Sequence, residues 1–244
     1  MNSFPDFSLE NEIADNFYLS PVVDHNDELV VAGCDEAGRG PLCGPVVAAA
    51  VVFMRHSMPP PQMINDSKKM TRAQRDAAYN FITDNPNIIW ATGQCSPAEI
   101  DELNILRASL TAMQRAISAL ARRPDFVLVD GNRLPDNLIR APLRDNDISS
   151  LALFDYISKM SGNTIMGRAV IRGDSKSLSI AAASIVAKVT RDRIMCELHR
   201  RFPQYGWHKN VGYPTAAHLQ AIKEYGISEY HRKTFAPVAR IISQ

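Results

Sequence analysis

The stretch that decides the fold is LVVAGCDEAGRGP, which runs from Leu29 to Pro41. A run of apolar residues leads into two adjacent acids, Asp35 and Glu36, and then into a glycine-rich turn. Residues 46–53 are again apolar, which predicts two strands joined by a short connection. Neighbouring side chains of a strand point to opposite faces, so the two acids share one site only where the strand ends or bends. The glycines of the turn supply that freedom.

Outward from this stretch, apolar runs alternate with stretches typical of helices. Further strands are predicted at residues 88–90, 126–131 and 166–171. Helices are predicted at residues 71–85, 96–120 and 179–202, and the first two begin with capping boxes. This alternation indicates an α/β fold, a mixed sheet flanked by helices.

The composition is that of a globular protein, with 244 residues of which 45% are hydrophobic. The longest apolar run, residues 46–54, is too short to cross a bilayer, and the N-terminus lacks the pattern of a signal peptide. We therefore expect a cytoplasmic monomer that contacts no membrane. The four cysteines form no C-x-x-C pair, which predicts reduced thiols rather than disulfides or a zinc site.

Charge divides the chain unevenly and suggests its organisation. Residues 1–28 contain no Lys or Arg and are expected to form a loosely held acidic extension without chemistry. Residues 29–202 are expected to form the catalytic domain, and residues 203–244 a small helical part that binds substrate. Residues 172–244 carry 12 Lys and Arg against 5 Asp and Glu, so this end is the candidate surface for a polyanion. The alternative is an ordinary solvated basic face.

Four acids follow or end apolar strands, namely Asp35, Glu36, Asp130 and Asp174. If these strand ends meet at one edge of the sheet, the like charges repel unless a cation lies between them. Mg²⁺ or Mn²⁺ suits such oxygen ligands, and two ions about 4 Å apart can catalyse hydrolysis of a phosphodiester. Taken singly, an acid at a strand end is more often a turn or helix-cap residue than a metal ligand.

The residues themselves resemble the ribonuclease HII family. The segment DEAGRGP at residues 35–41, followed by GPV at 44–46, is similar to the signature of that family. Later blocks follow in the family's order and together span roughly residues 30–236. They are DSKK at 66–69, IDELNIL at 100–106, VDGN at 129–132, GDSK at 173–176, AASIVAKVTRD at 182–192 and GYPT at 212–215.

The resemblance implies a ribonuclease H-like fold and an endonuclease that hydrolyses the RNA strand of RNA–DNA hybrids. It also implies cutting at ribonucleotides embedded in duplex DNA, with 3′-hydroxyl and 5′-phosphate products. The four acids are then the catalytic ligands of two divalent ions. Two further roles are implied for substrate binding: Gly38, Arg39 and Gly40 line the ribonucleotide 2′-hydroxyl, and Tyr213 lies against the sugar at the RNA–DNA junction. Tyr213 is otherwise typical of a core or surface aromatic.

Four other residues are candidates for binding backbone phosphates. Ser184, Lys188 and Arg191 are spaced by four and three residues, so they share one face of the predicted helix. Lys68 lies in a separate loop, and contacts of this kind predict salt-sensitive binding. A solvated helical face is the alternative, which has most weight for Arg191.

One departure from the family is the long connection between Asp130 and Asp174. Residues 142–162 are interpreted as an insertion with a helical pattern, and Asp145, Asp147 and Asp155 are assigned to it rather than to the site. Two other functions remain open. One is another two-metal nuclease of the superfamily, such as a resolvase or exonuclease, which does not need the glycine-arginine-glycine turn. The other is a hybrid-binding module with an inactive site, which the presence of all four acids disfavours.

Overall fold

The computed structural model describes residues 4–18, 29–54, 63–140 and 165–243. The proposed insertion at 142–162, with Asp145, Asp147 and Asp155, lies outside the described residues. Within the described residues the strands form one six-stranded sheet in the order β3-β2-β1-β4-β6-β5. The strands are β1 (Val31–Ala37), β2 (Val46–Phe53), β3 (Ile88–Cys95), β4 (Phe126–Asp130), β5 (Leu138–Arg140) and β6 (Ile165–Val170).

The strand directions make this a mixed sheet. β1, β2 and β3 pair antiparallel, as the short connection after β1 predicts. β1, β4, β6 and β5 pair parallel. Cys34 of β1 pairs with Val129 of β4, so Asp35 and Asp130 each come one residue later, at the carboxyl ends of neighbouring strands. The sheet therefore brings two of the predicted acids together by its register alone.

Helices cover both faces of the sheet. They are α1 (Ser8–Tyr18), α2 (Arg72–Asp84), α3 (Pro97–Leu103), α4 (Ile105–Ser118), α5 (Leu178–Arg201), α6 (Trp207–Asn210), α7 (Ala216–Tyr225) and α8 (Ala236–Ile242). α4 packs with β2 and β3 in one apolar cluster, and α5 packs with β2 and α2 in another. α5 lies very close to β1, since a Cβ added to Gly33 would lie 2.2 Å from the carbonyl carbon of Ser179. Small residues let this helix rest directly on the central strand.

The predicted helix at residues 96–120 is wrong in one respect, because the structure divides it into α3 and α4. Asn104 between them has a φ of 66°, outside the helical region. Its side chain accepts hydrogen bonds from the backbone N–H groups of Leu106 and Arg107 and so caps the second helix. The apolar pattern runs through this break without interruption, and the pattern alone therefore indicates one helix.

The expectation of a loosely held N-terminal extension is also wrong for residues 4–18. Here α1 packs against β4, β6 and the start of α5, and buries Ile13 and Glu10. The Glu10 Oε1 atom accepts hydrogen bonds from the hydroxyls of Ser177 and Ser179, at 2.6 Å each, and from the backbone N–H of Ser179 at 3.0 Å. These donors lie at the amino end of α5, where a carboxylate also meets the positive end of the helix dipole.

The C-terminal part forms its own apolar cluster around the buried side chains of Trp207, Ile222 and Val238. Backbone hydrogen bonds join it to the segment before β2: the N–H of Leu42 donates to the carbonyl of Gly212, and the N–H of Arg232 to the carbonyl of Leu42, at 2.8 Å each. This part therefore contacts the connection between β1 and β2. Among the described residues, no helix is long and apolar enough to span a membrane.

Candidate active site

One open cleft collects nearly all of the predicted site residues. It lies where β1 and β4 end, and α5 and the C-terminal part complete its walls. Eleven of the twelve predicted residues line it, namely Asp35, Glu36, Gly38, Arg39, Gly40, Lys68, Asp130, Ser184, Lys188, Arg191 and Tyr213. The twelfth, Asp174, adjoins the cleft, because its Oδ2 atom lies 3.0 Å from the Lys68 Nζ atom.

Local backbone contacts fix the four acids. Asp35 and Glu36 directly precede Ala37, the last residue of β1, and both line the cleft at this end of the strand. The Asp35 Oδ1 atom accepts a hydrogen bond from the Glu36 N–H at 2.7 Å, and the Asp130 Oδ1 atom accepts one from the N–H of Gly173 at 2.6 Å. The latter contact joins the end of β4 to the 3₁₀ turn Gly173–Ser175, which carries Asp174.

The electrostatics of these acids are those of like charges held together out of water. Burial, followed by the charges of Glu36 and Asp130, raises the pKa of Asp35 well above its ordinary value. Burial also raises the pKa of Glu36, although Arg39 opposes the shift, and burial and the charge of Asp174 raise the pKa of Asp130. Ionised carboxylates are therefore unfavourable here unless a cation accompanies them.

Two side-chain cations already lie at this cluster. The Arg39 Nη1 atom lies 3.2 Å from Glu36 Oε1, and Lys68 contacts Asp174. Burial alone lowers the pKa of Lys68, but its hydrogen bond to Asp174 and the charges of Asp174 and Asp35 outweigh that effect and raise it. Both side chains are more than half exposed, at 53% for Arg39 and 77% for Lys68, so water screens their charges. The buried carboxylates therefore still fit a hard divalent ion with oxygen ligands.

The glycine loop, defined here as residues 38–45, forms the other side of the cleft. Gly38 has a φ of +98°, and a Cβ added there would lie 2.1 Å from the Nε atom of Arg191. Both the backbone angle and the space therefore require glycine at this position. A Cβ on Gly40 would lie 3.5 Å from the Cε1 atom of Tyr213, so the tyrosine ring faces this end of the loop. The ring is 45% exposed and free to meet a ligand.

The predicted phosphate contact of Arg191 is wrong. Its side chain is 1% exposed, and its guanidinium donates hydrogen bonds to the backbone carbonyls of Pro45, Cys43 and Val211 at 3.0–3.1 Å. Arg191 thus supports the glycine loop from beneath. The shared helical face was predicted correctly, since Ser184 and Lys188 line the same cleft. Contacts with other elements bury Arg191 at the carboxyl-terminal end of this helical face, whereas Lys188 stays partly exposed.

Ser184 and Lys188 differ in what they offer a substrate. The Ser184 hydroxyl lies 2.8 Å from that of Ser67 and also bonds to Asp35, so it helps to hold that acid in place. Lys188 forms an ion pair with Asp192 at 2.8 Å, and both side chains are about one-quarter exposed. Lys188 is therefore partly exposed at the cleft, whereas the buried Ser184 hydroxyl already has its partners within the fold.

Sequence reasoning missed Arg232, the second buried arginine beneath the glycine loop. Its guanidinium donates to the carbonyls of Gly38, Arg39 and Gly44 at 2.6–3.1 Å, and it is fully buried. Burial, together with the charge of Arg191, lowers the pKa of Arg232 to about 9, so it stays protonated at neutral pH. Only an indirect signal in the sequence could have indicated Arg232. The carbonyls of a glycine turn with positive φ need hydrogen-bond donors from elsewhere in the chain.

A buried histidine pair holds the backbone of Tyr213. His218 Nδ1 donates to the Tyr213 carbonyl at 2.9 Å, and its Nε2 atom accepts from the Trp207 indole N–H at 3.1 Å. The Nε2 atom of His231 lies 3.3 Å from the same Nε2 atom of His218. Cys43, His218 and His231 place possible metal ligands within 4.8 Å of one another, but these hydrogen bonds already use the lone pair of His218. The cluster therefore supports Tyr213 without a metal.

Carboxylates gathered at the strand ends of such a mixed sheet, under a central helix, define a hydrolase of the ribonuclease H type. Comparisons with known proteins specify the class further. The profile of the family described as Ribonuclease HII matches residues 32–238. The chain is 45% identical over 240 residues to Ribonuclease HII of Paracoccus denitrificans, covering 98% of this chain and 96% of that protein. It is 47% identical over 214 residues to Ribonuclease HII of Magnetococcus marinus, covering 87% of each.

A solved structure agrees with these relatives. The ribonuclease H2 from Pyrococcus horikoshii OT3 superposes with a TM-score of 0.65 at 25% identity, covering 88% of this chain and 98% of that one. The chain belongs to the ribonuclease HII family. The resemblance on which the sequence analysis relied is thereby confirmed, as are the expected fold and the expectation of an enzyme.

Proposed function

We propose that the chain hydrolyses the RNA strand of RNA–DNA hybrids and also cuts duplex DNA at single embedded ribonucleotides. The products are expected to carry 3′-hydroxyl and 5′-phosphate ends. The observation that carries this proposal is the position of the buried carboxylates, which share one cleft with the glycine loop and Tyr213. In this proposal the carboxylates supply the chemistry of phosphodiester hydrolysis, and the glycine loop with Tyr213 contacts the sugar.

Asp35, Glu36, Asp130 and Asp174 would hold two divalent ions, Mg²⁺ or Mn²⁺. When bound, such ions activate water and stabilise the charge that develops on a phosphodiester. The chain's own residues then orient the substrate. Lys188, and Lys68 once Asp174 is engaged, would bind flanking phosphates, and Arg39 restrains Glu36.

Recognition of the ribonucleotide would fall to the glycine loop and Tyr213. A 2′-hydroxyl distinguishes RNA from DNA, and backbone groups near Gly38 and Gly40 can approach it without an intervening side chain. Tyr213 lies opposite Gly40 and can pack against the sugar. We propose that residues 203–244 act as a substrate-binding part that supplies this tyrosine, and that the enzyme works as a monomer.

The test is a cleavage assay on a DNA duplex that contains one ribonucleotide, with Mg²⁺ or Mn²⁺, and with chelator as the negative control. We expect one cut at the ribonucleotide, which requires metal and disappears in the Asp35→Asn variant. Undiminished cutting by that variant contradicts the role of the carboxylates. Cleavage of the all-DNA duplex at a similar rate contradicts the role of the glycine loop.

A further inference from the structure

Arg232 holds the glycine loop in a way that determines the direction of its peptide groups. Its Nη2 atom lies 2.6 Å from the carbonyl oxygen of Gly38, and its Nη1 atom lies 3.0 Å from that of Arg39. Two further contacts, at 2.9 and 3.1 Å, reach the carbonyl of Gly44. One rigid guanidinium thus fixes both ends of the loop.

The orientation of the carbonyls dictates where the following amides point. None of the described peptide bonds is cis, and in a trans peptide the C=O and the next N–H point in opposite directions. Because the carbonyls of Gly38 and Arg39 face Arg232, the N–H groups of Arg39 and Gly40 face away from it. Both residues line the cleft, and within the described residues neither amide donates to another protein group.

We propose that Arg232 sets the selectivity for ribonucleotides by aiming the amides of Arg39 and Gly40 at the 2′-hydroxyl. Arg232 is a positioning residue and does not itself touch the substrate, because it is fully buried. This inference rests on the proposed function and names the residue that makes the glycine loop selective. Two preorganised donors are selective because they lose a partner when the hydroxyl is absent.

Asp101 of α3 fixes Arg232 in turn. Its carboxylate accepts hydrogen bonds from the backbone N–H groups of Lys233 and Thr234, at 2.8 and 2.9 Å, and from the Thr234 hydroxyl at 2.6 Å. The ring of Phe235 adds a cation–π contact, with its centroid 5.0 Å from the Arg232 guanidinium carbon. Asp101 belongs to the IDELNIL block at residues 100–106. This block therefore supports the glycine loop indirectly, by holding the segment that carries Arg232.

The decisive experiment measures how strongly the chain prefers a ribonucleotide when it binds. Equilibrium binding is measured for a duplex with one ribonucleotide and for the same duplex in all-DNA form, with divalent ions chelated so that neither is cut. The selectivity ratio is the Kd for DNA divided by the Kd for the ribonucleotide duplex. We expect Arg232→Lys, which keeps the charge but cannot span the three carbonyls, to reduce this ratio about tenfold, as expected for misaligned hydrogen bonds.

Arg115→Lys is the matched control, because Arg115 also donates to a backbone carbonyl, that of Gln94, but away from the cleft. It should leave the selectivity ratio unchanged. If Arg232→Lys weakens binding to both duplexes equally, Arg232 has only a structural role and the inference is overturned. If the unaltered chain shows no preference, the proposed function itself fails, which is a distinguishable result.

A second variant decides the matter if Arg232→Lys does not fold. Asp101→Asn keeps Arg232 but weakens the contacts that place it, and its site is partly exposed and far along the chain from the acids. We expect a smaller reduction of the selectivity ratio, about threefold, with an unchanged melting temperature within about 3 °C. An unchanged ratio in a folded Asp101→Asn protein overturns the inference.

Discussion

The carboxylate half of the cleft buries anions beside one another, whereas the glycine-loop half buries cations among backbone carbonyls. Asp35 and Asp174 are 4% and 6% exposed and lie near further acids. Arg191 and Arg232 are equally buried, but each guanidinium is surrounded by carbonyl oxygens that accept its protons. Burial and mutual repulsion raise the pKa of the acids in the first half, whereas the arginines of the second half donate to carbonyls of the fold.

On the proposed function, this difference separates the residues that would hold the metal ions from those that would recognise the ribonucleotide. A cluster of buried acids that repel one another favours divalent ions, because the ions relieve the repulsion. A satisfied cluster of arginines holds a loop rigidly because each carbonyl already has its donor. Neutralising a charge should therefore have opposite effects on the stability of the two halves.

The largest expected effect is on activity in the carboxylate half. Asp35→Asn should reduce the cleavage rate at least ~10³-fold, about 4 kcal/mol of transition-state stabilisation, because the ligand set is incomplete. The same change should raise the melting temperature of the metal-free protein by about 3 °C at pH 8, since it removes a buried, repelled charge. Asp136→Asn, at an exposed ion pair, should change neither quantity. A lower melting temperature for Asp35→Asn contradicts the comparison.

In the glycine-loop half, neutralisation should destabilise the protein. Arg191→Met leaves the carbonyls of Cys43, Pro45 and Val211 without their donor, and each buried, unpaired group costs roughly 1–3 kcal/mol. We expect a net loss of about 3 kcal/mol in the free energy of unfolding, measured by urea denaturation. Arg200→Met, at a site 75% exposed, is the control and should change it by less than about 0.5 kcal/mol.

Divalent ions should stabilise the carboxylate half and leave the other unchanged. Mg²⁺ or Mn²⁺ at 100 times its Kd should add about 2.7 kcal/mol to the free energy of unfolding. Calorimetry should show this gain in the unaltered chain and in Arg232→Lys, and little of it in Asp35→Asn. An equal gain in all three proteins would place the ions elsewhere.

Glu10 sharpens the comparison because it is a buried acid whose Oε1 atom accepts three hydrogen bonds from the fold, although its Oε2 atom has no partner among the described residues. Glu10→Ala removes the acceptor for Ser177 and Ser179 and should lower the free energy of unfolding by about 2 kcal/mol. Asn11→Ala, on the exposed side of α1, is the control. If Glu10→Ala instead stabilised the protein, as Asp35→Asn should, the burial of a carboxylate would determine the stability at both sites. The hydrogen bonds that Glu10 accepts would then make no measurable contribution.

The smallest expected effect concerns pH. Burial and the neighbouring His218 lower the pKa of His231 to about 4, below its ordinary value of 6.5. Between these values the unfolded chain binds more protons than the folded one, so this contribution to stability is present above pH 6.5 and declines as the pH falls towards 4. Thermal melting between pH 7 and 5 should show a weaker pH dependence for His231→Gln. An equal dependence in both proteins argues against this source.

The sequence predicted best what depends on local order. The apolar strand that carries Asp35 and the capping boxes at Thr71 and Ser96 follow from short-range pattern. The pattern also places the acids at strand ends, but whether those ends meet depends on the strand order of the sheet. It failed at Asn104, where a capping side chain interrupts an unbroken apolar pattern. Local pattern carries no information on such a competition between a side chain and the helix backbone.

The hydrogen-bond partners of buried polar groups could not be predicted where the two partners lie far apart in the sequence. Arg191 shares a helical face with Lys188, yet residues 43–45 and 211 bury it, and none of these is near it in sequence. Arg232 is 194 residues from the Gly38 carbonyl that it binds. Glu10 reaches α5 across a similar separation. The sequence indicates that the loop needs donors, but only the fold identifies them.

The most direct test of the separation between metal binding and recognition of the ribonucleotide is the selectivity of the Asp35→Asn variant. Its binding to the single-ribonucleotide duplex and to the all-DNA duplex is measured with divalent ions chelated. We predict that the variant cuts neither duplex and retains the selectivity ratio of the unaltered chain within about twofold, because the glycine loop and Arg232 are intact. Loss of the preference in this variant would show that the carboxylates themselves select the ribonucleotide, and would contradict the account.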